Sequence, residues 1–314
     1  MRVGLIVDSA CDLPPEFIRK NDIFILPLTA IINGQTYVDN HDPAITAEFY
    51  DRGLLLKGHH AETEAFSAES IQKLFLEKVV TEYDMAFCET VDRSRSEIFD
   101  NATMAMNQVM ARYQPIREKA GRSGPFSMRV IDTGQVFAGQ GLMAAHTLRL
   151  IDQKLSKNAL RHQVETFAGS IYTCSIPRDL HYMRERARRR NVKSISAVSA
   201  FLGKTLNITP IVWGHGADGA AVAKTRSFDG AVEKVLDYAV RRVEAGLLTP
   251  YVSLSCGMSA AEIEQLPGLD RLREACRRHK VELLLCQMGI TSSIYLGPGS
   301  VCLALAAEDH GFED

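Results

Sequence analysis

The sequence predicts a two-domain α/β protein: an N-terminal domain on a parallel sheet, residues 1–160, and a C-terminal α+β domain, residues 161–314. Three observations predict it. The length of 314 residues suits about two domains, each able to bury its own core. In the first half, short apolar runs alternate with amphipathic stretches, the pattern of parallel strands covered by helices. In the second half, two paired runs flank a Gly-rich turn, which reads as a hairpin accompanied by helices.

Each element has its own signal. The run RVGLIVD (2–8) is a strand, and PPEFIRKND (14–22) a helix with prolines in its first turn. IFILPLTAII (23–32) is a strand interrupted at Pro27, and Asn33-Gly34 is a turn leading into QTYV. SAESIQKLFLEKVV (67–80) has helical periodicity, and DMAFCET (84–90) is a strand. In VDRSRSEIFDNA (91–102), Ser94 followed by Glu97 fits a capping box, so the next helix is expected to begin at Ser94 and run to about residue 113. Residues 118–127 are a loop by their Gly, Ser and Pro content. MRVIDT (128–133) is a strand and GQGLMAAHTLRLIDQ (139–153) a helix.

Beyond the boundary near residue 160, SIYTCS (170–175) is a strand and residues 177–190 form a basic helix. NITPIVW (207–213) and AAVAKTR (220–226) make the hairpin. Residues 230–246 are a long helix, YVSLSC (251–256) a strand, residues 259–279 a helix, and VELLLCQ (281–287) a strand. The chain closes on the apolar run SIYLGPGSVCLALA (293–306).

The bulk composition narrows the function classes. Lys plus Arg (36) nearly balances Asp plus Glu (38), which argues against nucleic acid as the main partner. The apolar run after Met1 is stopped by Asp8, too short for a signal peptide, and no run approaches the roughly 20 residues that cross a bilayer. The seven cysteines are scattered and include no C-x-x-C pair, so neither a disulfide framework nor structural zinc is expected. The cytoplasm is the expected location.

Candidate chemistry gathers at strand ends. Arg93, and Arg95 beside it, stand at a predicted helix N-terminus, where unpaired N–H groups favour an anion. Arg93 meets either a neighbouring Asp92 or Glu89 in a surface loop, or a ligand carboxylate or phosphate. Asp8-Ser9, Asp92-Arg93 and Asp132-Thr133 all follow strands, at the edge where α/β sheets bind ligands. LGPGS (296–300) lacks the spacing and lysine of a phosphate loop and reads as a turn. His59-His60 with Glu62 and Glu64 lacks a second histidine set, so no metal site is expected. The run RERARRR (184–190) is a solvated helix face, with docking to a partner or an anionic membrane as the alternative. Neither G-x-S-x-G nor S-x-x-K occurs.

Several of these segments together resemble the DegV family of fatty-acid-binding proteins. GLIVDSACDLP (4–14) resembles its first strand and Asp-Ser turn, and TEAFSAESI (63–71) its Thr-Ser-Gln-Pro-Ser segment, keeping Thr63 and Ser67. VIDTGQVFAGQGLMAAHTLRLI (130–151) is similar to the family's Asp-Ser strand end followed by Gly-Gln-Gly and a helix. Residues 202–237 resemble its Leu-Asn-Ile-Lys-Pro hairpin, and LGPGSVCLAL (296–305) its Gly-Pro-Gly close. The similarity covers nearly the whole chain. Three places depart from it: Asp92-Arg93 with Ser96-Glu97-Ile98 stand for Ser-Ser and Ser-Gly-Thr, Tyr295 for a His, and Val192-Lys193-Ser194 for Gly-Gly-Arg.

The resemblance implies two domains holding one long-chain fatty acid, palmitate among the expected ligands, with no other cofactor. The tail would be buried and the carboxylate held in a polar pocket between the domains by Thr63 and Arg93, supported by Ser96 and Tyr295. Some family members carry the acyl group to a separate fatty acid kinase, so such a kinase is an expected partner and the protein itself is expected not to be an enzyme. Burying about 14 methylenes at ~0.8 kcal/mol each is worth roughly 11 kcal/mol before ordering costs, and a buried carboxylate needs several hydrogen bonds or a cation. Two other readings stand beside this one. The first is an acyl- or phosphoryl-transfer enzyme using Asp8, Asp92 or Asp132 as acid or base. The second is a lipid-sensing regulator that docks through the basic helix.

Overall fold

The computed structural model describes residues 1–55, 60–183, 208–215 and 218–313. The first half is built on a parallel sheet of order β2-β1-β6-β7, formed by Phe24–Leu26, Val3–Asp8, Met85–Thr90 and Ser127–Asp132. Every residue of β6 is buried, as expected of a central strand covered on both faces. Helices α3 (Ala68–Lys78) and α4 (Ile98–Met110) pack together on one face, burying Phe75, Ile98, Ala102 and Val109 with Ile6, Ala86 and Cys88.

Pro27 does more than interrupt a strand. It divides β2 from β3 (Leu28–Ile32), which belongs to another sheet, the antiparallel β4-β3-β5. A proline lacks the N–H a ladder needs, so the chain changes sheets where pairing is lost anyway. Strand β4 (Gln35–Asp39) returns through the Asn33-Gly34 turn, both residues with positive φ. Strand β5 (Ala61–Ala65) pairs on the other side of β3, setting Thr63 opposite Ala30. Helix α2 (Pro43–Asp51) follows β4, capped by Asp42 with proline in its first turn.

The second half carries a mixed sheet of order β10-β9-β8-β13-β11-β12. Its strands are Ile171–Ile176 (β8), Thr209–His215 (β9), Asp218–Thr225 (β10), Tyr251–Cys256 (β11), Glu282–Gln287 (β12) and Val301–Ala306 (β13). Of these neighbouring pairs, β11 with β12 is parallel and the others are antiparallel. Helices α8 (Phe228–Ala245) and α10 (Leu269–His279) cover one face, with the short α9 (Ala260–Ile263) between them in sequence.

Helix α6 (Ala138–Asp152) joins the two sheets, touching β1 and β6 on one side and β8, β11 and β13 on the other. The Gly-Gln-Gly of the sequence serves this contact. A Cβ on Gly141 would lie 2.1 Å from the Asp12 carbonyl oxygen, so only glycine permits the approach.

Three expectations need correction. Helix α4 begins at Ile98 rather than Ser94; Glu97 precedes it and does not cap it through its side chain. The expected single helix over 259–279 is two, α9 and α10. Part of the expected 118–127 loop, with the tail of the preceding helix, forms α5 (Tyr113–Lys119). The closing apolar run carries helix α11 (Ile290–Leu296) and strand β13, separated at Gly297–Gly299 by the turn expected at LGPGS. Helix α7 (Lys157–Phe167), capped by Ser156, spans the position of the expected domain boundary. The basic run 184–190 and the Val192-Lys193-Ser194 departure lie outside the described residues.

Candidate functional site

Helix α11 is the centre of the site. Its first turn would leave N–H groups orphaned, and two carboxylates from the N-terminal half accept from them. Asp39, the last residue of β4, takes the Thr291 N–H at 2.8 Å and the Thr291 hydroxyl at 2.7 Å. Asp12 takes the Gly289 N–H and the Ser292 hydroxyl, each at 2.9 Å, and the Ser255 hydroxyl at 2.5 Å. Burial pushes the Asp12 carboxyl up to about 6 against the pull of those donors. Ser9 ties the two loops together: its hydroxyl donates to the Asp39 carbonyl at 2.5 Å and accepts the Leu28 N–H at 3.0 Å. The Tyr50 hydroxyl, raised above its ordinary pKa by burial, bonds Ser293 and the Met288 carbonyl.

This clamp fixes Tyr295, near the end of α11, against β5. The hydroxyls of Tyr295 and Thr63 hydrogen-bond each other across 232 positions of sequence, and both residues are half-buried. Ala30, Ile32, Phe49, Leu55, Ala61, Ile290 and Ile294 form an apolar cluster along the same junction of β3, β5 and α11. Two neutral hydroxyls that can each donate thus meet beside an apolar wall.

Arg93 is placed differently. Its guanidinium is exposed, 3.2 Å from Asp100 and lying over the Phe99 ring at 4.9 Å, while its N–H donates to Asp132 at 3.2 Å. The Ser96 hydroxyl accepts the Ile98 N–H at 3.3 Å and so serves the start of α4. The structure brings Thr63 and Tyr295 together and holds Arg93 and Ser96 in the α4 entry turn.

A family model described as "Uncharacterised protein, DegV family" matches residues 2–308. The chain belongs to the DegV family. A DegV domain-containing protein of Xanthomonas axonopodis pv. citri is 41% identical over 312 residues, 99% of each chain. Among solved structures, a fatty acid (stearic acid)-binding protein of Eubacterium ventriosum matches with a TM-score of 0.78 at 20% identity over 99% of each chain. A DegV lipid binding protein of Thermotoga maritima matches at 0.74 and 18% identity, over 99% of this chain and 100% of that one. These likenesses show the DegV fold: a parallel sheet in the N-terminal part and a mixed sheet in the C-terminal part.

Within that fold the three strand-end aspartates are held by main chain. Asp8, wholly buried, accepts from Val91 at 2.6 Å and Ala10 at 2.9 Å, and burial pushes it up to about 6. Asp92 accepts the Ser94 N–H at 2.7 Å, and Asp132 accepts from Arg93 and from Gly134 at 3.0 Å. Each accepts the N–H two residues on, and Asp8 and Asp132 also accept from the chain that follows β6. LGPGS is a turn: Gly297 and Gly299 have positive φ, and the Gly299 N–H donates to Gly257 at 2.6 Å. Among the described residues no three metal-ligating side chains cluster, and no helix is long and apolar enough to cross a membrane.

Sequence reasoning missed Asp12, Asp39, Tyr50 and the Thr291-Ser292-Ser293 run. One signal was available. It is the run of three consecutive hydroxyl residues between Gly289 and Gly297; the structure buries all three, and buried hydroxyls require partners.

Proposed function

We propose that this DegV-family protein binds one long-chain fatty acid, with the carboxylate accepting from the hydroxyls of Thr63 and Tyr295 and the tail against apolar side chains. The observation that carries the reading is the Thr63–Tyr295 pair. Each hydroxyl can exchange the other for a ligand oxygen without leaving a protein charge unpaired. The stearic acid bound by the Eubacterium relative supports the ligand class. The family's histidine is replaced by a phenol that keeps a donor. Arg93 stays with Asp100 in this reading and contributes less than Tyr295.

Asp8, Asp132 and the Oδ1 of Asp92 accept backbone donors, which favours a carrier over an acyl- or phosphoryl-transfer enzyme. Any chemistry on the carboxylate, phosphorylation by a kinase included, then belongs to a separate protein. Native mass spectrometry of protein purified from lipid-replete cells is the test. One fatty acid per chain, lost on solvent extraction and recovered unmodified, is the expected result. A bare chain that also takes up no added stearate would overturn the proposal.

A further inference from the structure

The six-stranded sheet ends at β12, and the hydrogen-bond parity of that strand is fixed at both ends. Glu282 donates to the Pro250 carbonyl at 2.8 Å, and Met288 to the Cys256 carbonyl at 2.9 Å. In a parallel ladder alternate residues face the neighbour, so residues 282, 284, 286 and 288 face β11. Leu283, Leu285 and Gln287 therefore turn their N–H and C=O groups away from the sheet. Among the described residues these outward main-chain groups have no partner.

The other outer strands of the two larger sheets carry protecting devices. Strand β10 carries an irregularity between Ala221 and Ala223 and a lysine at 224, β2 is three residues long and ends at Pro27, and β7 exposes Arg129. Strand β12 reads Glu-Leu-Leu-Leu-Cys-Gln, with neither proline, lysine nor bulge. An edge without such devices is a template for another strand.

Along this edge lies a groove of about 420 Å³, walled on its other side by helix α1 (Pro15–Lys20) and lined by Phe17, Leu283 and Leu285 among others. Its rim carries two anions, Glu16 and Glu282, and two cations, Arg19 and Lys20, all exposed. A strongly acidic or basic peptide would meet as many like charges as opposite ones. A second copy would not. Helix α1 has its acid at the first turn and its cations at the last, so a two-fold axis that reverses the helix sets Glu16 of one copy against Arg19 and Lys20 of the other.

We propose that the β12 edge and α1 form an isologous docking surface for a second copy of this chain. The two β12 strands pair antiparallel, joining the six-stranded sheets into one, and the α1 helices lie side by side over the junction. This does not depend on the lipid reading.

Sedimentation equilibrium of the full-length protein over rising concentration tests it, with the mass expected to climb from 34.8 kDa to twice that value. Leu285→Pro removes an outward N–H and leaves the β11 ladder intact, and it should weaken dimerisation at least about tenfold. If that variant does not fold, surface charge decides. Arg19→Glu with Lys20→Glu should weaken the dimer by about tenfold as well, and adding Glu16→Lys and Glu282→Lys should restore it. A wild-type mass of 34.8 kDa at every concentration overturns the proposal. So does a dimer indifferent to the charge reversal.

Discussion

Glu89 offers a prediction whose size follows from its surroundings. It lies near the end of β6, fully buried, with Oε1 accepting the Thr147 hydroxyl at 2.5 Å. Oε2 has no hydrogen-bond partner among the described residues. Burial pushes the carboxyl from 4.5 up to about 8. Below pH 4.5 both folded and unfolded chains hold this proton, and it has no effect on stability. Between 4.5 and 8 only the folded chain holds it, so stability falls as pH rises, by about 1.4 kcal/mol per unit. By pH 7 the accumulated loss is roughly 3 kcal/mol. Glu89→Gln keeps an oxygen for Thr147 and abolishes the titration. The buried Asp8 and Asp12 also lose stability with rising pH, each pushed up to about 6, but they titrate in both proteins and cancel in the difference. Urea unfolding at several pH values measures that difference. The variant should gain less than about 1 kcal/mol at pH 5 and roughly 3 kcal/mol at pH 7. A difference that stays flat with pH would show that Glu89 is ionised in the folded protein and would refute the reasoning.

Other predictions concern the packing and the site. Gly141→Ala places a methyl 2.1 Å from the Asp12 carbonyl, and thermal melts should show a loss of about 3 kcal/mol or failure to fold. Tyr295→Phe and Thr63→Val each remove one donor to a charged ligand, so titration with a fluorescent fatty acid should show affinity falling by about 1.5–3 kcal/mol. Arg93→Ala breaks an exposed pair with Asp100, and in the same titration should cost less than Tyr295→Phe, with stability changed by under about 1 kcal/mol in chemical unfolding. Asp39→Asn replaces the anion that holds the start of α11, and should destabilise the protein by about 1–3 kcal/mol in the same unfolding assay.

The parallel sheet was legible because its determinants are local. Short buried runs such as MAFCET and the amphipathic stretches after them carry their pattern within one element. The entry to α4 was misread for a local reason. The Ser94 N–H is taken by the Asp92 carboxylate two residues earlier, so a turn occupies the residues that the serine and glutamate pattern assigned to a helix. Helix α2 had its signal, Asp42-Pro43, in plain view. Helix α11 did not. It holds isoleucines and a threonine that favour strands, and its first turn is satisfied by Asp12 and Asp39, 277 and 252 positions away from the groups they bind. The same non-locality hid most of the site. Thr63 and Tyr295 were named only through family resemblance, and nothing in either neighbourhood predicts that they meet. Arg93 illustrates the converse: its cation looked available in sequence, but Asp100 lies on the first turn of the helix it precedes.

Calorimetric titration with stearic acid and with its methyl ester tests the central claim most directly. The tails are identical, so any difference reports the carboxylate and its two hydroxyl donors. The acid should bind more tightly by about 1.5–3 kcal/mol, roughly 10- to 150-fold, and Tyr295→Phe should shrink that gap. Equal affinities for acid and ester, or a gap untouched by Tyr295→Phe, would contradict a carboxylate held by Thr63 and Tyr295.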